Sequence, residues 1–320
     1  MRNYILSIIF FSIDFISFAQ PPDFTVYDTT NSKITSNIIK TICIDNNNNK
    51  WFATGDCFSG GVLVKFDGKD FTVFNKSNSK IPDVFITAIA CDKDNNIWLG
   101  TKTGGLTKYD GTNWETFNTS NSQLPDNHIR CITTEDNGII WLGTDKGLVK
   151  IENEKWTIFN KTNSLLPHNN VNFITIDKQN FKWISTDNGI AKFDGTNWII
   201  FDKKNTHISD NLTGCIAIDK SDNKWIVFWG GIAKYDNTNW EIYNNSNSGL
   251  PAYTDYFIAI DNNDTKWIAT NYGLVKYDNK KWETLTPQNS KIPDFFINKL
   301  AIDKDGKLWL ASQNGLAIIK

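Results

Sequence analysis

The chain has 320 residues, with 33 basic side chains against 35 acidic ones and a formal net charge of −2. That balance supplies no broad positive field, so nucleic acid and anionic lipid surfaces are excluded as partners. The composition is that of a soluble protein, 40% hydrophobic, in which 13 Trp and 21 Phe are the unusual share and His, at three, is scarce.

Residues 1–20, MRNYILSIIFFSIDFISFAQ, place Arg2 ahead of an apolar run from Tyr4 to Ile13 and end in Ser17-Phe18-Ala19 before Gln20. The run is too short to cross a bilayer as a helix, which takes about 20 residues. With small residues at its end it predicts a signal peptide over residues 1–19, cleaved after Ala19, and export to the periplasm or beyond with no stable membrane insertion afterwards. The five Cys (Cys43, Cys57, Cys91, Cys131 and Cys215) are odd in number and share no spacing, which fits neither a disulfide framework nor a metal-binding pair. Four of them fall in apolar runs expected to be inner strands, and Cys57 falls in a turn.

After the leader, Asp23-Phe-Thr-Val-Tyr27 reads as a strand, and then one unit repeats to the end of the chain. Trp occurs at 51, 98, 141, 183, 225, 267 and 309, at spacings of 47, 43, 42, 42, 42 and 42. A second aromatic column runs through Phe71, Trp114, Trp156, Trp198, Trp240 and Trp282, so Trp229 alone among the Trp stands outside the repeat. In the second copy, Thr87–Cys91, Asn96–Thr101, Gly105–Tyr109 and Trp114–Phe117 are strand runs, and the Asp110-Gly111 pair between the last two is a hairpin signal. Four antiparallel strands in about 42 residues, without helical periodicity, make a propeller blade. The chain stops after a third strand and opens with a fourth, so the N-terminal strand is expected to complete the last blade. The prediction is all-β, a single seven-bladed β-propeller over residues 20–320 whose Trp columns pack blade on blade.

The turns and linkers read as structural. Asp92-Lys-Asp-Asn-Asn96 and Asp303-Lys-Asp-Gly306 lack the bidentate Glu of a calcium loop and are expected to be side-chain-capped turns. The blade linkers repeat an Asn-Ser pair, as at Asn121-Ser122, with Asn205-Thr206 as the degenerate copy. Gly147, Gly189, Gly273 and Gly315 recur ahead of third strands and predict positive φ.

The stretch from Ile89 to Trp114, with its Ile-x-x-Asp-x-x-Asn-x-x-Trp-x-Gly-Thr run followed by Gly-Leu-x-Lys-Tyr-Asp-Gly-x-x-Trp, resembles the two-component regulator propeller repeat. The resemblance extends over essentially the whole mature chain. In that family such blades form periplasmic sensor regions of hybrid histidine kinases, many of which detect glycan fragments. No immunoglobulin-like domain, membrane helix, kinase or receiver follows Lys320, so the expectation carried over is that of the propeller alone.

In a propeller the blade linkers share one face with the turns between second and third strands. Uniformity breaks down there. One column reads Lys40, Thr87, Arg130, Asn172, Gly214, Tyr256 and Asn298, and another, two residues earlier, reads Ile38, Phe85, His128, Asn170, Leu212, Thr254 and Phe296. Trp229 stands where other copies have Asp145 or Asp187, with Phe228 in place of the usual Thr. The expected site places Trp229, Tyr253, Tyr256 and Tyr272, from the fifth to seventh blades, against a sugar or similar ring, with Arg130, Lys40 and Asn172 as polar contacts. A glycan or a protein is the expected partner of this exported, non-enzymatic propeller; no catalytic residue, metal or cofactor is expected.

Two alternatives stand beside it. His128, His168 and His207 fall in consecutive linkers on this face, which invites a metal-dependent enzyme of the streptogramin lyase kind, with Glu135, Glu152 and Glu154 as the accompanying acids. A structural or adhesive scaffold that presents its loops to other proteins is the other.

Overall fold

Each alternating run of four to six residues bounded by Asn, Asp or Gly forms a strand in the computed structural model, which describes residues 24–55, 62–82, 85–252 and 257–319. The expected signal peptide and Cys57 lie outside those residues. The strands form seven four-stranded antiparallel sheets, and among the described residues there is no helix. Blades 1 to 6 span residues 39–74, 86–117, 129–159, 171–201, 213–243 and 257–285. Blade 7 takes three strands from residues 297–319 and its fourth from Phe24–Tyr27, which pairs antiparallel with Gly315–Ile319 in a register that sets Tyr27 opposite Leu316. The ring is closed as the sequence predicts, and every blade has its four strands.

First strands lie innermost and fourth strands outermost. The second strand of each blade is sandwiched between neighbouring blades, so Ile140–Thr144 and Lys182–Thr186 are buried on both faces. Its Trp is fixed by a bond that every blade repeats. The carboxylate at the head of the preceding turn accepts the indole N–H: Asp45 from Trp51, Asp92 from Trp98, Glu135 from Trp141, Asp177 from Trp183, Asp219 from Trp225, Asp261 from Trp267 and Asp303 from Trp309, at 2.6 to 3.0 Å. The other oxygen of Asp92 accepts the backbone N–H of Asp94 and Asn96 at 3.0 and 2.9 Å. These are the side-chain-capped turns expected from the sequence, with an added duty to the indole.

The residue before Trp adds an unexpected third partner. Lys50, Lys182, Lys224 and Lys266 are buried and reach back to the preceding blade, where their Nζ lies 3.1 to 3.8 Å from Asp303, Glu135, Asp177 and Asp219. Each also sits 4.9 to 5.6 Å above the preceding blade's Trp ring. In blades 2, 3 and 7 the position is apolar, with Ile97, Ile140 and Leu308. One carboxylate thus joins a turn, an indole and, at four junctions, the next blade's ammonium.

A second layer of aromatics packs outside the first. Phe66, Tyr109, Phe193, Tyr235 and Tyr277 stack on Phe71, Trp114, Trp198, Trp240 and Trp282 of their own blades, with centroids 4.1 to 4.5 Å apart. Ile151 takes the stacking position in blade 3, so Trp156 lacks the ring that its counterparts have. A cavity of about 800 Å³ opens there between blades 2 and 3, walled by Trp98, Phe117, Ile151 and Trp156 and rimmed by Glu115 and Glu154.

The linkers behave as read. Asn121 donates from Nδ2 to the carbonyl of Thr116 at 2.9 Å and accepts the N–H of Asn118 at 2.8 Å, while Ser122 Oγ donates to the carbonyl of Asn118 at 2.7 Å. Asn205 and Thr206 make the equivalent bonds to Ile200 and Asp202, so the degenerate copy keeps the geometry. Gly147 has φ +130°, and a Cβ there would lie 2.3 Å from the carbonyl oxygen of Phe159. The four described Cys lie in first strands as free thiols.

Three outcomes are expected from this packing. Asp177→Ala, which strips Trp183 and Lys224 of their carboxylate, lowers stability by about 3 kcal/mol or more in urea unfolding, whereas Lys224→Met stays within about 1 kcal/mol of wild type because the sister blades already carry Ile or Leu there. Ile151→Phe restores the missing stack and raises stability by about 1 kcal/mol, read as a higher urea midpoint at unchanged slope. At Asp303, burial by itself raises the carboxyl pKa, but hydrogen bonds from Trp309, Lys307 and Lys50 outweigh it and hold the group below its ordinary 3.8. A lowered folded pKa means that this contribution is complete above the unfolded value and is lost as pH falls through the folded one. Unfolding curves from pH 7 down to pH 3 should therefore show less acid loss for Asp303→Asn than for wild type.

Candidate functional site

The variable column at the channel mouth has a structural cause. First and second strands shift register at Ile39/Thr41, Ile86/Ala88, Ile129/Cys131, Val171/Phe173, Thr213/Ile216 and Ile297/Lys299. The extra residue in these bulges is Lys40, Thr87, Arg130, Asn172, Gly214 (with Cys215) and Asn298. A bulge residue has no partner across the strand pair, so its side chain is re-aimed and its identity is free of the ladder.

Several of these side chains nonetheless work between blades. Thr87 Oγ1 donates to the carbonyl of Ile129, Asn172 Nδ2 to that of Thr213 at 3.0 Å, and Asn298 Nδ2 to that of Ile39 at 2.7 Å. Each bond joins one blade to the next at the mouth of the channel. Lys40 instead lies 6.0 Å from the ring centre of Phe85.

On blades 3 and 4 the two variable columns converge on one acid each. Asp145 accepts from Arg130 Nε and pairs with His128 Nδ1 at 2.9 Å. Asp187 accepts from Asn172 at 2.8 Å and from Asn170 at 2.6 Å. The two sets are linked, since Arg130 Nη1 donates to Asn172 Oδ1 at 3.2 Å. Partial burial by itself raises the Asp145 pKa, but the hydrogen bonds from His128 and Arg130 and the guanidinium charge outweigh it and keep the carboxyl below its ordinary range.

Blade 5 differs from blades 3 and 4 at all three positions together. Trp229 replaces the acid, and Leu212 and Gly214 replace the two polar partners. Trp229 N donates to the carbonyl of Leu212 at 3.1 Å, which fixes the two residues side by side, 49% and 42% exposed. Phe228 is buried where Thr144 and Thr186 tie their turns through Oγ1, and the turn beyond it is Gly230-Gly231, with φ +108° at Gly230. A shallow cavity of about 270 Å³ lies against Trp229, lined by Ser209, Gly230, Asn244, Asn245 and Ser246. Tyr272, 57% exposed, occupies the matching turn of blade 6. Tyr253 and Tyr256 lie outside the described residues.

The structure therefore brings Arg130 and Asn172 into direct contact, and Asn172 bonds to the backbone beside Gly214. Lys40 lies elsewhere on the mouth, in blade 1. His128 and His168 face separate acids, Asp145 and Asp187, the latter at 3.9 Å. Among the described residues no three His, Cys, Asp or Glu side chains are grouped to hold a metal ion. What the sequence reading lacked was the pairing itself. Its signal was present as a joint change at positions 212, 214 and 229, which are unrelated until the bulge and the turn are superposed.

Comparison with known proteins agrees with this architecture. The two component regulator propeller profile matches residues 80–103 and 123–146, which run from the linkers into blades 2 and 3. No curated protein matches the sequence. Among solved structures, the extracellular domain of the hybrid two component system BT3049 from B. thetaiotaomicron superposes with a TM-score of 0.79 at 21% identity, over 94% of this chain and 41% of that one. The chain thus spans well under half the length of that sensor domain. PorZ, a surface component of the type-IX secretion system of Porphyromonas gingivalis, gives a TM-score of 0.73 at 17% identity, over 92% of this chain and 48% of that one. Virginiamycin B lyase from Staphylococcus aureus gives 0.73 at 15% identity, over 93% and 98%. At these identities the likenesses concern the fold. No helix among the described residues is long and apolar enough to cross a membrane. With the same Trp, acid and turn positions recurring around the ring, the chain is a seven-bladed β-propeller, two of whose blades carry the two component regulator propeller signature.

Proposed function

We propose that this protein is an exported, non-enzymatic propeller that binds a glycan on its linker face, at the opening in blade 5. The observation that carries the reading is the joint replacement of an acid and its two polar partners by Trp229, Leu212 and Gly214. It exchanges a self-satisfied network for an exposed indole beside a position with no side chain. An indole face accepts the C–H face of a sugar ring, and nearby amide and guanidinium groups serve its hydroxyls. Arg130 supplies the guanidinium from blade 3, and Asn172 of blade 4, whose two Nδ2 hydrogens go to Asp187 and the Thr213 carbonyl, offers Oδ1 as an acceptor. Tyr272 lies in the corresponding turn of blade 6, Tyr253 and Tyr256 fall between blades 5 and 6 in the sequence, and Lys40 is the bulge residue of blade 1.

Export rests on the N-terminal segment, and the extracellular setting of the sensor domains that share the fold supports it. The separation of His128 from His168 supports binding over catalysis.

Glycan-array screening of the mature protein, followed by calorimetric titration of the best ligand, tests the reading. Trp229→Ala is expected to weaken binding by at least about tenfold, equivalent to about 1.4 kcal/mol, while stability falls by no more than about 1 kcal/mol because the side chain is half exposed. Unchanged affinity in that variant, or an array without a single bound glycan, refutes it.

A further inference from the structure

Among the described residues, Lys299 is an enclosed cation with no carboxylate beside it. Lys299 follows the bulge residue Asn298 in the first strand of blade 7, one step deeper than the linker-face mouth. Its counterparts are Thr41, Ala88, Cys131, Phe173, Cys215 and Phe257, so it is the charged member of an otherwise uncharged layer. That layer lines the channel. The rings of Phe173 in blade 4 and Phe257 in blade 6, two blades that are not neighbours, meet edge to face with centroids 5.9 Å apart. Lys299 keeps some solvent access along the channel and is otherwise enclosed by protein.

The surroundings leave the ammonium unneutralised. Nζ donates to Thr41 Oγ1 at 3.2 Å and lies 5.3 Å from the ring centre of Phe257. The buried lysines between blades each have a carboxylate within 4 Å, but among the described residues Lys299 has none. The titratable groups that face it are Cys43, Cys131 and Cys215. Burial raises the pKa of all three and pushes Cys131 and Cys215 up to about 12, so these thiols are neutral and cannot act as counterions. An ammonium has three N–H donors, and the described residues use one. Enclosure of an unpaired charge is costly, and either deprotonation or a bound anion relieves it. Burial does lower the Lys299 pKa. Among the described bulge residues the charged ones are Lys40 and Arg130, while Asp145 and Asp187 on the same face are engaged by Arg130, His128, Asn170 and Asn172.

We propose that the channel just below the linker-face mouth is a binding site for a small carboxylate, held by the Lys299 ammonium and the Thr41 hydroxyl above the Phe173–Phe257 layer. The oxygens accept from Nζ and Oγ1, and the carbon end of the ligand meets the aromatic rings. The site is separate from the blade 5 opening and does not depend on a glycan binding there.

Calorimetric titration with sodium formate and sodium acetate, at constant ionic strength in fluoride, tests it on the mature protein. Wild type is expected to bind saturably and Lys299→Met to lose at least tenfold in affinity. Lys299→Thr, which copies the residue of blade 1 at this position and so suits the fold, is expected to lose as much, and either variant suffices if the other does not fold. Thr41→Val is expected to weaken binding by a smaller factor. Absence of saturable binding to folded wild type, or equal affinity in a folded Lys299 variant, overturns the proposal.

Discussion

The hydrogen bond from each second-strand indole to the carboxylate at the head of the preceding turn holds the ring together. It spans six residues within one blade, as from Asp92 to Trp98, and so fixes the hairpin between first and second strands. The same carboxylate caps its own turn and, at four junctions, receives the next blade's buried Lys. A charge-assisted bond of this kind is worth roughly 1.5–3 kcal/mol, and its loss leaves a buried donor and a buried cation unpaired. Glu135 shows how far the scheme bends. Its longer side chain still takes the Trp141 N–H at 2.6 Å and Lys182 at 3.1 Å, but the N–H of Ile139 passes to Asn137.

With the blades locked in this way, the linker face is free to differ from blade to blade. The bulge at the start of each first strand re-aims one side chain at the channel mouth, and the blades answer differently. Blades 2, 4 and 7 bridge to a neighbour's carbonyl, blade 3 engages Asp145, and blade 5 presents nothing but Gly214. The two sites we propose lie where a blade departs from its sisters, blade 5 with an exposed indole at its turn and blade 7 with the Lys299 ammonium one residue beyond its satisfied bulge. The cavity beside Ile151 arises from a third omission, a missing ring in the outer aromatic layer.

The repeat, its strands, the closure of blade 7 by Phe24–Tyr27, the capped turns and the Asn-Ser linkers were all legible in the sequence. Each depends on residues a few positions apart whose chemistry recurs about every 42 residues, and local hydrogen bonding needs no knowledge of the ring. The Trp columns were legible as packing for the same reason, and so was the anomaly of Trp229. The pairing of Lys224 with Asp177 was not, because it joins residues 47 positions apart in different blades, and the sequence offers each Lys several acids. Nor was the convergence of His128 and Arg130 on Asp145, since alternation along a strand gives no sign of a bulge.

The sequence by itself thus determined the architecture, the number of blades and the residue that departs from them. Only the tertiary structure decided what that departure means. It showed that Trp229, Leu212 and Gly214 occupy one node that blades 3 and 4 fill with an acid and its partners, and that Lys299 is enclosed without a counterion among the described residues. The physical reason is that strand and turn formation are set by neighbours along the chain, whereas satisfaction of a polar group is set by whatever the ring brings beside it.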